Sequence, residues 1–434
     1  MNRSIFTLCL LLLTVALAAP LPASAGQAFI PTSFGLTARG IAMANALTAI
    51  PDPGASYFNP AALAAEPGGE IAVSFEFASP DFTVKRELDN KTTAYDEDNE
   101  IIAAAMKFDL SGMFKGDRIV ALGISMAMDD YMRQFVSFGD VRDDRGQFVR
   151  YGTPGVFMAF SLAAQIIPQL TLGVGAHINI EASAKMSLVT DLSGNTSSES
   201  MSMAAKASMG PLAGLYLAID RYHAGLAYRG ENMGKLGPMD VQTDATVSQS
   251  KLAGLPLSLN FRDNFTPQQV ALGFAVDATD WMLVGVDAAW HNWAGFNDEV
   301  DDYNKDQGRA DSDVEFKDVF VPRLGLEFKP LDGLFARCGY AYEPTPLSKP
   351  GTFKPVPDNE LMQGYVAVDN AKHVASLGVG YTWEKPPLLA LPISFDAYYQ
   401  LHYLVPETWE TSDGYEYASE GMMHTGGLGL TLRF

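Results

Sequence analysis

Cysteine is nearly absent from this chain of 434 residues: there are two, and Cys9 lies in the apolar run at the amino terminus. Cys338 alone remains beyond that run, which excludes an intrachain disulfide framework. Basic side chains are also scarce, 30 Lys and Arg against 51 Asp and Glu, for a formal net charge of −21. A phosphate backbone demands the opposite sign, so nucleic acid is excluded as a partner. Long apolar runs are the third lack. After the amino terminus none approaches the roughly 20 residues that a spanning helix needs, and no Pro/Gly/Ser-rich linker divides the chain into soluble domains. A membrane span here must be made of strands, whose apolar face is hidden in a two-residue alternation. The mean hydropathy of +0.03 is what such alternation produces.

Residues 1–25 read as a secretory leader. Arg3 supplies the positive start, Ile5 to Ala19 the apolar stretch and Ala23-Ser24-Ala25 the small-residue cleavage site, leaving Gly26 as the first mature residue. The apolar stretch is about 15 residues, too short for a spanning anchor.

The alternation is clearest from Leu170 onward. Leu170, Leu172, Val174, Ala176, Ile178 and Ile180 fall on one side of an extended chain, and Thr171, Gly173, Gly175, His177, Asn179 and Glu181 on the other. One face suits hydrocarbon and the other water. In 319–329, Phe320, Leu324, Leu326 and Phe328 oppose Arg323, Gly325, Glu327 and Lys329, and 393–403 repeats the pattern. Fourteen such stretches are expected, near 70–78, 101–110, 118–128, 155–165, 170–188, 202–218, 222–229, 256–277, 281–291, 319–329, 334–342, 371–383, 393–403 and 425–434, with 256–277 the least regular. Long connections (79–100, 129–154, 230–255, 292–318, 343–370 and 404–424) alternate with short ones, as outer loops alternate with periplasmic turns. The expected fold is therefore all-β, a closed antiparallel transmembrane barrel of about 14 strands in the outer membrane. An even count returns both chain ends to the periplasmic side, and closure leaves no edge strand. Leu428, Leu430, Leu432 and the terminal Phe434 alternate outward, like the signal read by the outer-membrane assembly machinery. Tyr340, Tyr342, Tyr381, Trp383, Tyr399 and Tyr403 fall on the lipid-facing parity near strand ends, as girdle residues against outer-membrane lipid and lipopolysaccharide do.

Residues 26–69 do not alternate. Gly35, Gly40, Pro51, Pro53, Gly54, Pro60 and Gly68-Gly69 are set among Phe29, Phe34, Leu36, Ile41, Met43, Ile50, Tyr57 and Phe58, too apolar for a disordered tail. This segment is expected to plug the lumen of a barrel spanning 70–434. Ser33-Phe34-Gly35-Leu36-Thr37-Ala38-Arg39-Gly40 followed by Ser56-Tyr57-Phe58-Asn59-Pro60-Ala61-Ala62-Leu63 resembles the N-terminal hatch of the FadL/TodX outer-membrane hydrophobe transporters, including their Asn59-Pro60-Ala61 turn. Pro322-Arg323-Leu324-Gly325, Arg337-Cys338-Gly339-Tyr340-Ala341-Tyr342 and Ser376-Leu377-Gly378-Val379-Gly380-Tyr381, with Asp369-Asn370 just before the last, resemble the family in order and spacing.

The resemblance implies passive uptake of long-chain fatty acids or other hydrophobic compounds, such as aromatic hydrocarbons. Ligand would be caught among outer loops, pass to a pocket beside the hatch (Phe29, Phe34, Leu36, Ile41, Met43, Phe58), and leave sideways at an inward kink in the third strand. Ala121, Gly123 and Ser125 lie on that strand's inward parity. Small residues there either permit a kink or make room for the hatch. The loop after the fifth strand, 191–200, is short and Ser-rich, unlike the family's helical groove loops. Phe135 and Phe138 in 129–154, and Leu361 and Met362 in 343–370, are the substitutes, either as a ligand groove or as loop packing. Lys107, Arg229, Arg323 and Arg337 share the lumenal parity and could meet a ligand carboxylate, or pair with Asp109, Asp287 and Glu327. The acidic surplus favours neutral solutes.

Asp302, Asn304, Asp306 and Asp313 approach calcium-loop spacing, but Gly308 stands one place late for that turn, so no resident metal or cofactor is expected. His177, Asn179, Glu181 and Ser161 share polar parity without a nucleophile elbow, and no enzyme is expected. The alternatives to uptake are an outer-membrane scaffold or secretion-system shuttle of the same fold, and an open polar porin, which the apolar plug disfavours.

Overall fold

The computed structural model describes residues 30–95, 98–114, 118–129, 147–148, 156–191, 196–233, 239–247, 250–259, 265–295, 315–349, 352–353, 365–387, 391–410 and 416–434. The leader 1–25, Phe29, Phe135, Phe138, Leu361, Met362 and the calcium-like stretch 302–313 lie outside them.

Fourteen strands form the wall: β1 (Glu70–Arg86), β2 (Asn99–Asp109), β3 (Val120–Asp129), β4 (Val156–Ile167), β5 (Leu170–Asp191), β6 (Thr196–Ile219), β7 (Tyr222–Arg229), β8 (Gln269–Thr279), β9 (Met282–His291), β10 (Val319–Leu331), β11 (Leu334–Glu343), β12 (Lys372–Trp383), β13 (Ile393–Glu410) and β14 (Glu416–Arg433). Each pairs antiparallel with its chain neighbour, and β14 closes on β1 from Glu70↔Arg433 to Arg86↔Tyr417. Closure satisfies every wall hydrogen-bonding edge within the sheet, as a bilayer requires. Both strand termini lie at one end, here the lower end. There the chain turns tightly, as at Asp220, which takes a left-handed φ of 52° between β6 and β7.

The parity is as alternation demands. Val174 is 62% exposed on the outside while His177, on the opposite parity, is 0% exposed inside. Phe75, Phe274, Phe320, Leu377, Phe395 and Leu428 continue the outer apolar belt, and Tyr340, Tyr381, Trp383, Tyr399 and Tyr403 are exposed on the same face.

Three expectations are corrected. The stretch 256–277 is not one strand. Ser250–Leu259 pairs with Met239–Val247 in a hairpin beside the upper part of β5, and the wall strand begins at Gln269. Residues 79–86 and 404–424 are largely strand rather than loop, because β1, β13 and β14 run 17, 18 and 18 residues. A span needs about 9–11, so these three strands continue above the membrane belt. The segment 191–200 is not a loop throughout either, since β5 reaches Asp191 and β6 begins at Thr196.

Inside lie three short helices, α1 (Ile30–Ser33), α2 (Ala38–Ala42) and α3 (Ala55–Phe58), then a 3-10 turn over Pro60–Ala64. Thr37 caps α2 by accepting from the Gly40 amide, and Asn59 caps the 3-10 turn by accepting from the Ala61 amide, with Pro60 at its first position. Gly35 has a φ of +112°, and a Cβ there would lie 2.5 Å from Ile41, so only glycine makes this turn.

Candidate functional site

The interior is organised around the contact between hatch and wall. At hatch height the inward positions of most strands are glycine, and a Cβ would strike hatch atoms. On β7, Gly225 would place one 1.9 Å from the Thr48 carbonyl oxygen; on β5, Gly173 would meet Ala61 N at 2.4 Å; on β11, Gly339 would meet the Met43 carbonyl carbon at 2.3 Å. Gly214 of β6 faces Asn59, Gly273 of β8 faces Thr48, Gly378 of β12 faces Ala42 and Gly429 of β14 faces Ala38. Hatch backbone thus runs against wall backbone.

Hydrogen bonds fasten the same contact. Asn59 Nδ2 donates to Thr48 O (2.7 Å) and to Leu215 O of β6 (3.0 Å). The Thr48 amide donates to Asp287 of β9 at 2.9 Å, Thr171 of β5 to Ala61 O at 2.9 Å, and Ser161 of β4 to Ser56 O at 2.6 Å. The hydroxyls of Ser56 and Ser125 are in contact. Asn59, Pro60 and Ala61 are therefore the hub of the plug. Pro60 and Ala61 press on Gly173 while Asn59 ties two hatch segments to the wall.

The third strand spends its small inward residues on the hatch. Ala121 is buried, a Cβ at Gly123 would lie 2.5 Å from Leu63, and Ser125 meets Ser56. Between the two readings of these residues, contact with the hatch is the one seen. The ladders of β3 with β2 and with β4 carry no register break among the described residues.

Phe34, Leu36, Met43, Leu47, Tyr57 and Phe58 are buried in one continuous apolar cluster with wall residues Phe157, Leu212 and Val321 above the hatch. Ile41 packs elsewhere, against Tyr398 of β13. The lumenal cations are engaged. Arg337 binds Glu327 (2.6 Å) and Asp396 (2.5 Å), and Glu327 also takes Arg39 of the hatch through two bonds of 2.8 and 2.9 Å. Lys372 and Arg323 share Glu343 at 3.0 and 3.7 Å, and Lys107 donates to Glu66 O at 2.8 Å. Arg229 differs. It donates to Gln269 and to Phe58 O, both at 2.9 Å, and lies 5.2 Å over the Tyr57 ring.

Below the hatch the character reverses. A vestibule of about 490 Å³ opens at the lower end, lined by Arg39, Asp52, Glu66, Glu70, Lys107, Glu327, Lys329, Arg337, Asp396 and Arg433 among others. Burial pushes the Asp52 carboxyl of the hatch up to about 6, against the pull of Arg39, the Gly54 amide and Thr37. Ser161 and His177 form no hydrolytic pair: Ser161 is bonded to the hatch, and His177 Nε2 to Gly230 O at 3.0 Å. No cluster of metal-ligating side chains occurs among the described residues.

Sequence reasoning did not find Arg39 as the partner of Glu327, nor Thr48 and the glycines around it. The glycines had a signal, since they recur on lumenal parity at one height on successive strands.

Comparison with known proteins gives a consistent result. The family described as outer membrane protein transport protein (OMPP1/FadL/TodX) matches residues 15–399. Alkane uptake protein A of Marinobacter nauticus is 25% identical, over 99% of this chain and 97% of that protein. Among solved structures, a Pseudomonas aeruginosa FadL homologue matches with a TM-score of 0.57 at 16% identity, over 92% of this chain and 98% of that one. The Pseudomonas putida toluene transporter TodX matches with 0.51 at 13%, over 92% and 99%. At these identities the two structures speak for the fold.

Proposed function

Since this chain belongs to the OMPP1/FadL/TodX family of outer-membrane transport proteins, we propose that it admits neutral hydrophobic small molecules, hydrocarbons above all, across the outer membrane without energy input. The observation that carries the choice of neutral solutes is the pairing of the interior cations. Arg39, Arg323, Arg337 and Lys372 each sit against a carboxylate, and Lys107 on a backbone carbonyl. A fatty acid headgroup arriving there would have to displace an existing partner, within a chain of net charge −21. The likeness to an alkane uptake protein points the same way.

The reversal across the hatch supports release through the wall. Above it lies an apolar cluster; below it lies a charged vestibule into which a hydrocarbon would have to be driven against its own hydration cost. With the ladders of β3 unbroken, the opening forms by movement of wall and hatch together. In this reading residues 1–25 are removed on export, 26–69 form the hatch, and the lower end faces the periplasm. The alternating carboxyl-terminal strand serves the assembly machinery, and the girdle tyrosines meet outer-membrane lipid and lipopolysaccharide.

Arg229 favours a second reading. It has a ring and two neutral acceptors around it but no carboxylate in salt-bridge contact among the described residues, so a fatty acid could use it. Uptake of labelled hexadecane and labelled palmitate by cells with and without the gene separates the two. The expected result is gene-dependent hexadecane uptake with palmitate unaffected. Palmitate dependence alone would establish the Arg229 reading, and no dependence for either solute would leave the scaffold role.

A further inference from the structure

At the upper end of the seam between β6 and β7 a side chain stands in for the main chain. The paired register of these strands runs from Ile219↔Tyr222 up to Leu212↔Arg229. One step higher, the Gly230 amide donates to Pro211 O at 2.7 Å. Opposed residues of this kind exchange two bonds in an antiparallel ladder, but proline has no N–H to give in return. His177 Nε2 donates to the Gly230 carbonyl instead, at 3.0 Å. His177 belongs to β5 and stands opposite Gly210 of β6, so its ring crosses the width of β6 to reach the end of β7. Gly210 permits the crossing, since a Cβ there would lie 2.3 Å from His177 Nε2. Higher still, the Asn232 side chain donates to Ser208 O at 3.3 Å. β7 has eight residues, fewer than the roughly 9–11 that a span needs. The seam therefore lies at membrane height, and Met209 and Tyr228 are exposed on its outer face.

We infer that the wall parts at this seam, between the sixth and seventh strands and not at the third, with His177 as the bolt that holds it shut. The inference rests on release through the wall and adds a place to it. Parting a complete ladder in hydrocarbon strands donors and acceptors alike. At Pro211 the donor is missing from the outset, and the acceptor opposite is held by a ring that can turn. The hatch bears on that ring. Tyr57 meets His177 edge-on with 5.9 Å between ring centroids, and Arg229, in the last ladder pair, donates to Phe58 O at 2.9 Å. A hatch that shifts at Tyr57 and Phe58 therefore releases the bolt and the end of β7 together. Leu212, opposite Arg229, belongs to the same apolar cluster as Tyr57. A hydrocarbon beside the hatch is thus already at the inner face of the seam, and passes to the bilayer without entering the charged vestibule.

The test locks one seam at a time in cells, in a Cys338→Ala background. Ala213→Cys with Tyr228→Cys joins β6 to β7 at an opposed pair, and Met126→Cys with Met158→Cys joins β3 to β4 in the same way. Oxidising the first pair should stop uptake of labelled hexadecane, and dithiothreitol should restore it. The second pair should pass hexadecane in both states. Uptake through the oxidised first pair, or arrest by the second, overturns the seam. For the bolt, exchange of the Gly230 amide in nanodiscs should rise about fivefold in His177→Phe, the worth of one hydrogen bond. It should return to the parent rate in His177→Gln, whose amide can still donate. Equal exchange in the parent and His177→Phe, or an equal rise in His177→Gln, overturns the bolt. Should a cysteine pair be inactive even when reduced, the exchange measurement decides. Hexadecane uptake that survives deletion of the whole gene overturns the transport reading instead.

Discussion

Replacing Arg39 by methionine removes the hatch cation that reaches wall carboxylate Glu327. In the intact protein Arg39 and Arg337 share Glu327, and Arg337 extends to Asp396, so two positive and two negative charges balance. Arg39→Met leaves one negative charge in excess and removes three hydrogen bonds, two to Glu327 of 2.8 and 2.9 Å and one to Pro51 O of 2.7 Å within the hatch. Breaking a buried ion pair from one side costs about 3–5 kcal/mol. The Arg39 side chain is 26% exposed beside the vestibule, and solvent relieves part of that cost, so about 2 kcal/mol is expected. The hatch should then leave the wall about thirtyfold more often. Hydrogen exchange of amides 37–58 in nanodiscs reads this directly, and a rise in planar-bilayer conductance reads the leak. Glu327→Gln should cost more, because it removes the charge that two guanidinium groups share, leaving Arg337 with Asp396 and Arg39 without a carboxylate. In the double-mutant cycle the two positions should couple by about 1–2 kcal/mol. Coupling below about 0.3 kcal/mol, with hatch exchange unchanged in Arg39→Met, refutes the latch.

Asn59→Ala removes donors to two carbonyls at a fully buried site and should destabilise the hatch by about 2–3 kcal/mol, seen as faster exchange at Thr48 and Ala61; unchanged protection would dismiss Asn59 as the hub. Gly225→Val forces a side chain into Thr48 O and should loosen the hatch by at least about 1–3 kcal/mol, with the wall still assembling as judged by heat-modifiable migration. The third concerns pH. The folded value of Asp52, about 6, lies above its ordinary 3.8, so the protonated form suits the docked hatch better. Hatch protection, corrected for intrinsic exchange, should therefore rise as pH falls from 6 to 4, by up to about tenfold per unit, and be lost again as pH climbs through 6. Asp52→Asn should flatten that profile, and an equally steep profile in the variant would assign the effect elsewhere.

The wall was legible because hydrocarbon outside and polar contents inside force a strict alternation, which Leu172, Val174 and His177 display without help from tertiary context. It stopped being legible at the membrane edge. Past Ser79 the outward residues become Asp81 and Lys85, Pro80 and Pro406 interrupt the pattern, and the apolar face passes to the inside, so the continuation of three strands resembles loop. The hairpin within 239–259 was missed for a related reason: an outer segment answers to no bilayer. Of the interior, lumenal parity was readable for Arg337, Glu327 and Asp287, but their hatch partners Arg39 and Thr48 are 288 and 239 residues distant in the chain. Pairing at that range is decided by how the plug seats.

Backbone against backbone has a kinetic consequence. Where a gate is built of side chains, rotamers open it in picoseconds to nanoseconds. Gly173, Gly225 and Gly339 have no rotamers to turn, so a passage at the hatch waits on collective displacement of main chain, which belongs to microseconds and milliseconds. The protein's throughput is accordingly capped on the order of 10³–10⁶ events per second however steep the outside concentration. Small solutes should feel that ceiling as much as large ones, because what limits both is the beat of the plug and not the width of a hole.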